Sequence, residues 1–269
     1  MYHAHWGLRS SPFGGSAGDA LTKTVNSPAC DEALARLQYL VDGQGRLGLL
    51  MGAAGTGKTT LLRRFVDRAR RGGIPAALIG GCACDERAFA LQLARAWQVP
   101  SSGTDDATQT WELIANQLVE WRYERQPAIL VLDDADRAPA AVRLLIERLL
   151  HLAMTHQTQL TVFLACSTDT AASVGHRLLE QVELRIDLAP WSEDETAEHV
   201  ARMIYESGGE HPIFTDDAIV TLHELSGGLA RKVDQIAELA LLAGAGQGLS
   251  EIDAATLLEA YQELGTGSL

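Results

Sequence analysis

The 269-residue sequence predicts an α/β protein, a three-layer parallel sheet between helices, followed by a small all-helical domain. Three observations predict this. Apolar runs of strand length alternate with helical patterns as far as Leu188, the order that builds a parallel sheet covered on both faces. No strand pattern follows Pro190-Trp191, while helical periodicity runs on almost to the C-terminus. Between the first strand and the helix after it lies a glycine-rich turn, Gly52-Ala-Ala-Gly-Thr-Gly-Lys-Thr59.

Residues 1–26 begin aromatic, become glycine-rich at Gly14, Gly15 and Gly18, and read as an extended lead-in. Ser27-Pro28 supplies an N-cap and a first-turn proline, and Ala33, Leu34, Leu37, Leu40 and Val41 then recur at helical spacing. Leu47 to Met51 is the first strand, followed by a helix marked by Leu61, Leu62, Phe65, Val66 and Ala69. Ala76 to Ile79 is a second strand. Helices are expected at Ala88–Trp97 and Trp111–Trp121, joined by a polar loop from Ser101 to Asp106. Ala128 to Leu132 is continuously apolar, as in a strand buried on both faces. A helix over Ala140–Ala153, a strand over Leu160–Ala165, a short helix reaching Val182 and a fifth strand over Leu184–Leu188 complete a domain spanning 27–190.

The domain from 191 to 269 opens on Ser192-Glu-Asp-Glu195, a capping box. Further helices are expected at about Asp216–Leu225, Leu229–Ala243 and Ser250–Glu263, broken by Gly227-Gly228 and by the Gly244–Gly248 stretch.

The glycine-rich turn satisfies G-x-x-x-x-G-K-[ST] through Gly52, Gly57, Lys58 and Thr59, in the strand–loop–helix setting that this motif needs. Glycines let the backbone wrap closely with positive φ. The loop N–H groups, at a helix start carrying about half a positive charge, then converge on phosphate oxygens. The expected phosphate contacts are Gly52, Ala53, Gly55, Thr56, Gly57, Lys58, Thr59 and Thr60, with the Lys58 ammonium on the β- and γ-phosphates of ATP and the Thr59 hydroxyl on Mg²⁺. The third strand ends in Leu130-Val-Leu-Asp-Asp134. Asp133 is the expected second Mg²⁺ ligand, and Asp134 is expected to orient or deprotonate an attacking water. The fourth strand ends in Cys166-Ser-Thr168, where Ser167 or Thr168 is placed to sense the γ-phosphate.

Composition bounds the rest. Lys and Arg number 22 against 35 Asp and Glu, a net charge of −13 that argues against a broad nucleic-acid-coating surface. The helix after the turn carries Arg63, Arg64, Arg68, Arg70 and Arg71, read as a solvated face before a DNA or partner patch. Cys30, Cys82, Cys84 and Cys166 are scattered and read as buried apolar thiols, which suits a reducing cytoplasm. The start, with Tyr2, His3, His5 and Arg9, has no apolar leader core, and no apolar run approaches the roughly 18 residues of a membrane span.

Several segments together resemble the AAA+ P-loop ATPases of the general secretion pathway protein A family and their relatives, the ATPase subunits of transposition systems. The opening, Met-Tyr-His-Ala-His-Trp-Gly-Leu-Arg-Ser-Ser-Pro-Phe13, is similar to that family's aromatic-Gly-Leu…Pro-Phe signature. Leu188-Ala-Pro-Trp-Ser-Glu-Asp-Glu-Thr196 resembles its junction into a helical lid, and Ile213-Phe-Thr and Ser226-Gly-Gly-Leu-Ala-Arg231 resemble its lid motifs. The resemblance implies a cytoplasmic, oligomeric ATPase that works in secretion or envelope assembly, with a membrane-anchored partner. Arg231 matches the sensor arginine of the lid. Transposition-type work on DNA, or a nucleotide-gated scaffold with little turnover, are the alternatives. The chain departs from the family at four places: the loop between Thr168 and Arg177 is shorter, Asp134 stands for the usual Glu, Ala230 for a Pro, and Glu180-Gln181 for Gln-Arg. The last leaves Arg177 or Arg185 as candidate for an intersubunit finger.

Overall fold

The computed structural model describes residues 2–14, 27–83, 85–100 and 107–266. The predicted loop at 101–106, Gly15, Gly18 and Cys84 lie outside the described residues. The chain divides into two units: Pro28–Ala53 with Lys58–Leu188, and Met1–Ser27 with Ala54–Gly57 and Ala189–Leu269.

In the α/β unit the sheet holds β1 (Leu47–Gly52), β2 (Ala76–Gly80), β3 (Ala128–Asp133), β4 (Leu160–Ser167) and β5 (Leu184–Asp187). The strands lie in the order β2-β3-β4-β1-β5 and every pairing is parallel. Parallel pairing needs crossovers, and the helices supply them. Alternation along each strand divides the apolar side chains between two faces. Leu47, Leu49 and Met51 of β1, with Leu130 and Leu132 of β3, pack against Phe89, Leu93, Ile114, Leu118, Ile146 and Leu149. Leu50, Ile129, Val131 and Phe163 point the other way, onto Leu34, Leu37, Leu62 and Phe65. The unit therefore has three layers, with a parallel sheet in the middle, as expected.

The helices of α2 (Pro28–Asp42) and α3 (Lys58–Arg71) bury the same apolar residues that their periodicity picks out. The later pair runs longer than predicted: Glu86–Ala96, with Asp85 accepting a capping hydrogen bond from the Ala88 N–H, and Ala107–Glu124. A helix at Ala140–His156 follows β3. The segment after β4 differs from expectation. A 3₁₀ stretch covers Thr168–Val174, and the short helix is His176–Leu179, ending before Val182. Arg143 fixes this segment by donating to the carbonyls of Ala138 and Ser173 at 3.0 and 2.8 Å. Such carbonyl anchoring leaves no periodic signature in sequence.

The other unit is helical: Glu193–Glu206, Asp216–Ser226, Ala230–Gln247 and Ala254–Thr266. The capping box at Ser192 and Glu195 is formed in both directions. Two expectations are corrected here. Tyr2–His5 is helical rather than extended, and the opening residues pack into this unit. The Trp6 indole donates to the Leu241 carbonyl at 2.9 Å, Leu8 is buried in the core, and Tyr2 and Ser11 both hydrogen-bond Glu238. Gly244 does not break a helix either. A Cβ there would collide with Ile252 Cδ1 and stand 3.0 Å from the Trp6 ring, so glycine allows close approach and the helix runs on to Gln247. Among the described residues, no helix is long and apolar enough to cross a membrane.

Candidate functional site

The carboxyl ends of β1, β3 and β4 meet at one edge of the sheet, the place where open α/β sheets take ligands. β1 delivers the glycine-rich turn. Gly55 and Gly57 hold φ of +92° and +96°, values that a side chain strains. α3 starts at Lys58, so the preceding N–H groups face the space ahead of a helix N-terminus. Thr56 is buried, while Ala53, Thr59 and Thr60 are half-buried. Lys58 is buried with its ammonium folded back along the loop, donating to the carbonyls of Gly52 at 2.8 Å and Ala53 at 3.0 Å. Burial lowers its pKa, against the pull of Asp133 and Asp134 in the opposite direction.

Asp133, at the end of β3, is 8% exposed and accepts a hydrogen bond from the Thr59 hydroxyl at 2.7 Å. Burial holds its carboxyl above the usual carboxylate range, only partly offset by that hydroxyl. A buried carboxylate beside a hydroxyl, near a lysine ammonium, is an all-oxygen pair of the kind a hard divalent cation takes. The two residues fit Mg²⁺ in donor type and spacing.

Asp134 sits differently. Its backbone is left-handed, φ 50° and ψ 46°, which Asp tolerates better than most residues. Its N–H donates to Asp133 Oδ1 at 3.1 Å, and its own carboxyl is half-buried. The turn thereby separates two consecutive acids, one inward and one toward solvent. Two neighbours were not anticipated. The Cys82 thiol, beyond the end of β2, donates to Asp134 Oδ2 at 3.6 Å, and Arg137 approaches Cys82 Sγ at 4.0 Å. The only sequence signal for this is Gly80-Gly81-Cys82 closing a strand on the same sheet edge. Cys82 is exposed and Cys30 half-buried, which corrects the reading of both as buried thiols; Cys166 is buried, with its pKa raised to about 11 by desolvation.

Ser167 pairs in register with Gly52, so the tip of β4 lies beside the root of the loop; Thr168 is exposed in the following 3₁₀ turn. In the helical unit, which includes Ala54–Gly57, the Arg231 N–H donates to the Gly55 carbonyl at 3.1 Å and its side chain is exposed. Of the two finger candidates, Arg185 is turned onto Asp187 through contacts of 2.9–3.1 Å, while the 81% exposed Arg177 side chain reaches Glu147 at 3.9 Å.

Comparison with known proteins agrees with this fold. A family model described as an AAA domain matches residues 41–173. General secretion pathway protein A of Aeromonas hydrophila is 28% identical over 260 residues, 94% of this chain and 46% of the relative. The chain thus spans about half the length of the curated relative it matches. Among solved structures, Cdc6p from Pyrobaculum aerophilum matches with a TM-score of 0.72 at 17% identity, over 91% of this chain and 70% of that one. The Aeropyrum pernix ORC1 protein in complex with DNA gives 0.65 at 16% identity, over 91% and 69%. The Thermotoga maritima RuvB Holliday junction branch migration motor gives 0.58 at 15% identity, over 89% and 70%. The chain thus matches an AAA domain over residues 41–173, shares the fold of these solved structures, and is similar to general secretion pathway protein A.

Proposed function

We propose that this AAA+ chain binds Mg²⁺-ATP at the turn between β1 and α3 and hydrolyses it, slowly, to drive rearrangements in assembling a secretion or envelope machine. The observation that carries this reading is the Lys58–Thr59–Asp133 constellation, with Thr59 Oγ1 2.7 Å from Asp133 Oδ2 at the carboxyl ends of β1 and β3. On binding, the Lys58 ammonium exchanges two loop carbonyls for phosphate oxygens, and the loop N–H groups cradle the rest. Thr59 and Asp133 would hold Mg²⁺, which when bound neutralises charge on the β- and γ-phosphates.

Asp134 accepts the proton of the attacking water as the water oxygen bonds to the γ-phosphorus and the bridging oxygen leaves with ADP. Its carboxyl is one methylene shorter than the usual Glu, so the water sits less well and turnover is slow. Ser167 reads the γ-phosphate from the tip of β4. Arg231 couples the helical domain to nucleotide state, supported by its backbone contact to Gly55. A homo-oligomer follows from this reading, with the exposed Arg177 better placed than Arg185 to reach a neighbouring subunit.

A second reading, a DNA-associated ATPase, is favoured by one feature, the exposed Arg68, Arg70 and Arg71 at the end of α3. Steady-state ATPase rate against protein concentration, with and without duplex DNA, separates the two. A specific activity that rises with concentration and ignores DNA supports the first; stimulation by DNA, lost as salt rises, supports the second. A flat, near-zero rate with ATP still bound makes the chain a nucleotide-gated scaffold.

A further inference from the structure

The charge of the chain is unevenly placed. Residues 189–269 carry 15 Asp and Glu against 3 Lys and Arg, a net −12, while residues 1–188 carry 20 against 19. Almost the whole acidity therefore belongs to the helical region. Within that region lies a groove of about 370 Å³, between the helix at Glu193–Glu206 (α8) and the helix at Asp216–Ser226 (α9). Its walls are apolar: Ala201 and Ile204 from α8, Ile219 from α9, and Pro212 from the connection. Glu210 and Asp216 stand at its edge, and Tyr205 beside it is 77% exposed. The volume falls in the lower part of the roughly 300–1,000 Å³ range of ligand pockets, enough for a few side-chain anchors.

We propose that this groove docks a basic amphipathic helix from a partner protein. Apolar walls with an acidic surround match a segment that carries aliphatic anchors on one face and Lys or Arg on the other. Two walls are helices whose backbone hydrogen bonds are already made, and the connection between them is paired with Ile252 through the Ile213 carbonyl and the Thr215 N–H, so an extended strand would find little ladder to join. Nucleic acid and anionic lipid carry the same charge sign as this region and are repelled. A second copy of the chain does not supply the occupant through its own basic helix. The apolar face of α3 (Leu61, Leu62, Phe65, Val66) is already spent in the α/β core. Basic residues steer the encounter and aliphatic anchors hold the complex, so binding weakens with salt without vanishing.

The test uses the whole chain and a fluorescent 18-residue peptide with Leu at i, i+3, i+4 and i+7 and Lys elsewhere. One control peptide has Glu in place of Lys; another has the same composition without the periodicity. The expected result is binding in the micromolar range for the periodic basic peptide, at least about tenfold weaker binding of both controls, and hydrogen-exchange protection confined to residues 197–219. Ala201→Arg, at an exposed position of α8, should weaken binding about tenfold or more with helicity unchanged. Glu210→Lys keeps the groove's apolar walls and should narrow the preference for Lys over Glu peptides. The proposal is overturned by equal binding of the aperiodic peptide, by protection elsewhere, or by indifference to Ala201→Arg. Self-association through this face in sedimentation, or binding of duplex DNA or anionic vesicles to it, also overturns it.

Discussion

The buried half of the candidate site and its open half are held by different forces. Lys58, Thr59 and Asp133 are packed at the sheet edge, and each has a near hydrogen-bond partner at 2.7–3.0 Å. Asp134, one residue further on, turns through a left-handed backbone toward solvent, and among the described residues its carboxyl keeps a 3.6 Å thiol contact. Buried polar groups are costly unless paired, so substitution in the first half touches nucleotide binding and, at the buried Asp133, stability as well. A half-exposed carboxylate can change the rate of a reaction with little effect on the fold. On the proposed reading, the comparison separates binding from turnover, even between consecutive residues.

The largest expected effect tests that separation. Asp134→Asn should lower ATP turnover by about 10²–10⁴, the usual range for losing a general base, while ATP affinity stays within about twofold. Parallel kinetics and nucleotide titration check it; loss of affinity along with rate would merge the two halves. Asp134→Glu sharpens the same point. A rise in turnover would mark the wild-type chain as a slow, nucleotide-gated switch, and a fall from a rate already typical of the class would remove that view.

Asp133 gives a prediction in pH. Its folded pKa is raised by burial, so the metal-free folded state holds the proton more tightly than the unfolded chain. Its contribution to stability is present below the ordinary carboxylate value near 3.8 and is lost as pH rises through the folded value. Metal-free wild type should therefore lose stability relative to Asp133→Asn as pH rises from about 4 toward neutrality. Mg²⁺ with nucleotide should restore wild type and leave the variant unchanged. Urea midpoints across pH measure this, and parallel curves for the two proteins would contradict it.

The smallest expected effect lies in the helical region. Arg231→Ala should reduce the difference that ATP and ADP make to limited proteolysis of that region by about fivefold, the low end of allosteric couplings of about 1–3 kcal/mol. An unaltered ATP-against-ADP difference would detach Arg231 from nucleotide sensing.

Legibility in the sequence followed the range of the interaction. Local patterns were enough for α2, whose five predicted apolar positions are the five buried ones. They were enough for the continuous apolar strands and for the Ser192–Glu195 capping box, since each depends on neighbours within one turn or one strand. What failed depended on distant partners. Gly244 looks like a helix breaker until Trp6, far away in the sequence, is seen against it. Tyr2–His5 looks extended until Glu238 and Leu249 are there to receive it. In the candidate site, Lys58 and Thr59 were readable because the G-x-x-x-x-G-K-[ST] spacing lies within one short loop, and Asp133 because it closes a continuously apolar strand. The thiol at Cys82 beside Asp134 was not, because the sheet order alone brings β2 and β3 together.

The central claim is that Lys58 faces ligand rather than core. Titrating ATP into wild type and Lys58→Ala, with and without Mg²⁺, tests it most directly. The account predicts Mg²⁺-dependent binding by wild type and a loss of about a hundredfold or more in the variant, on the scale of one or two charge-assisted contacts of about 1.5–3 kcal/mol each. The thermal melt of the metal-free, nucleotide-free variant should match wild type. Equal affinity of the two proteins for ATP, or a variant that fails to fold, would contradict it.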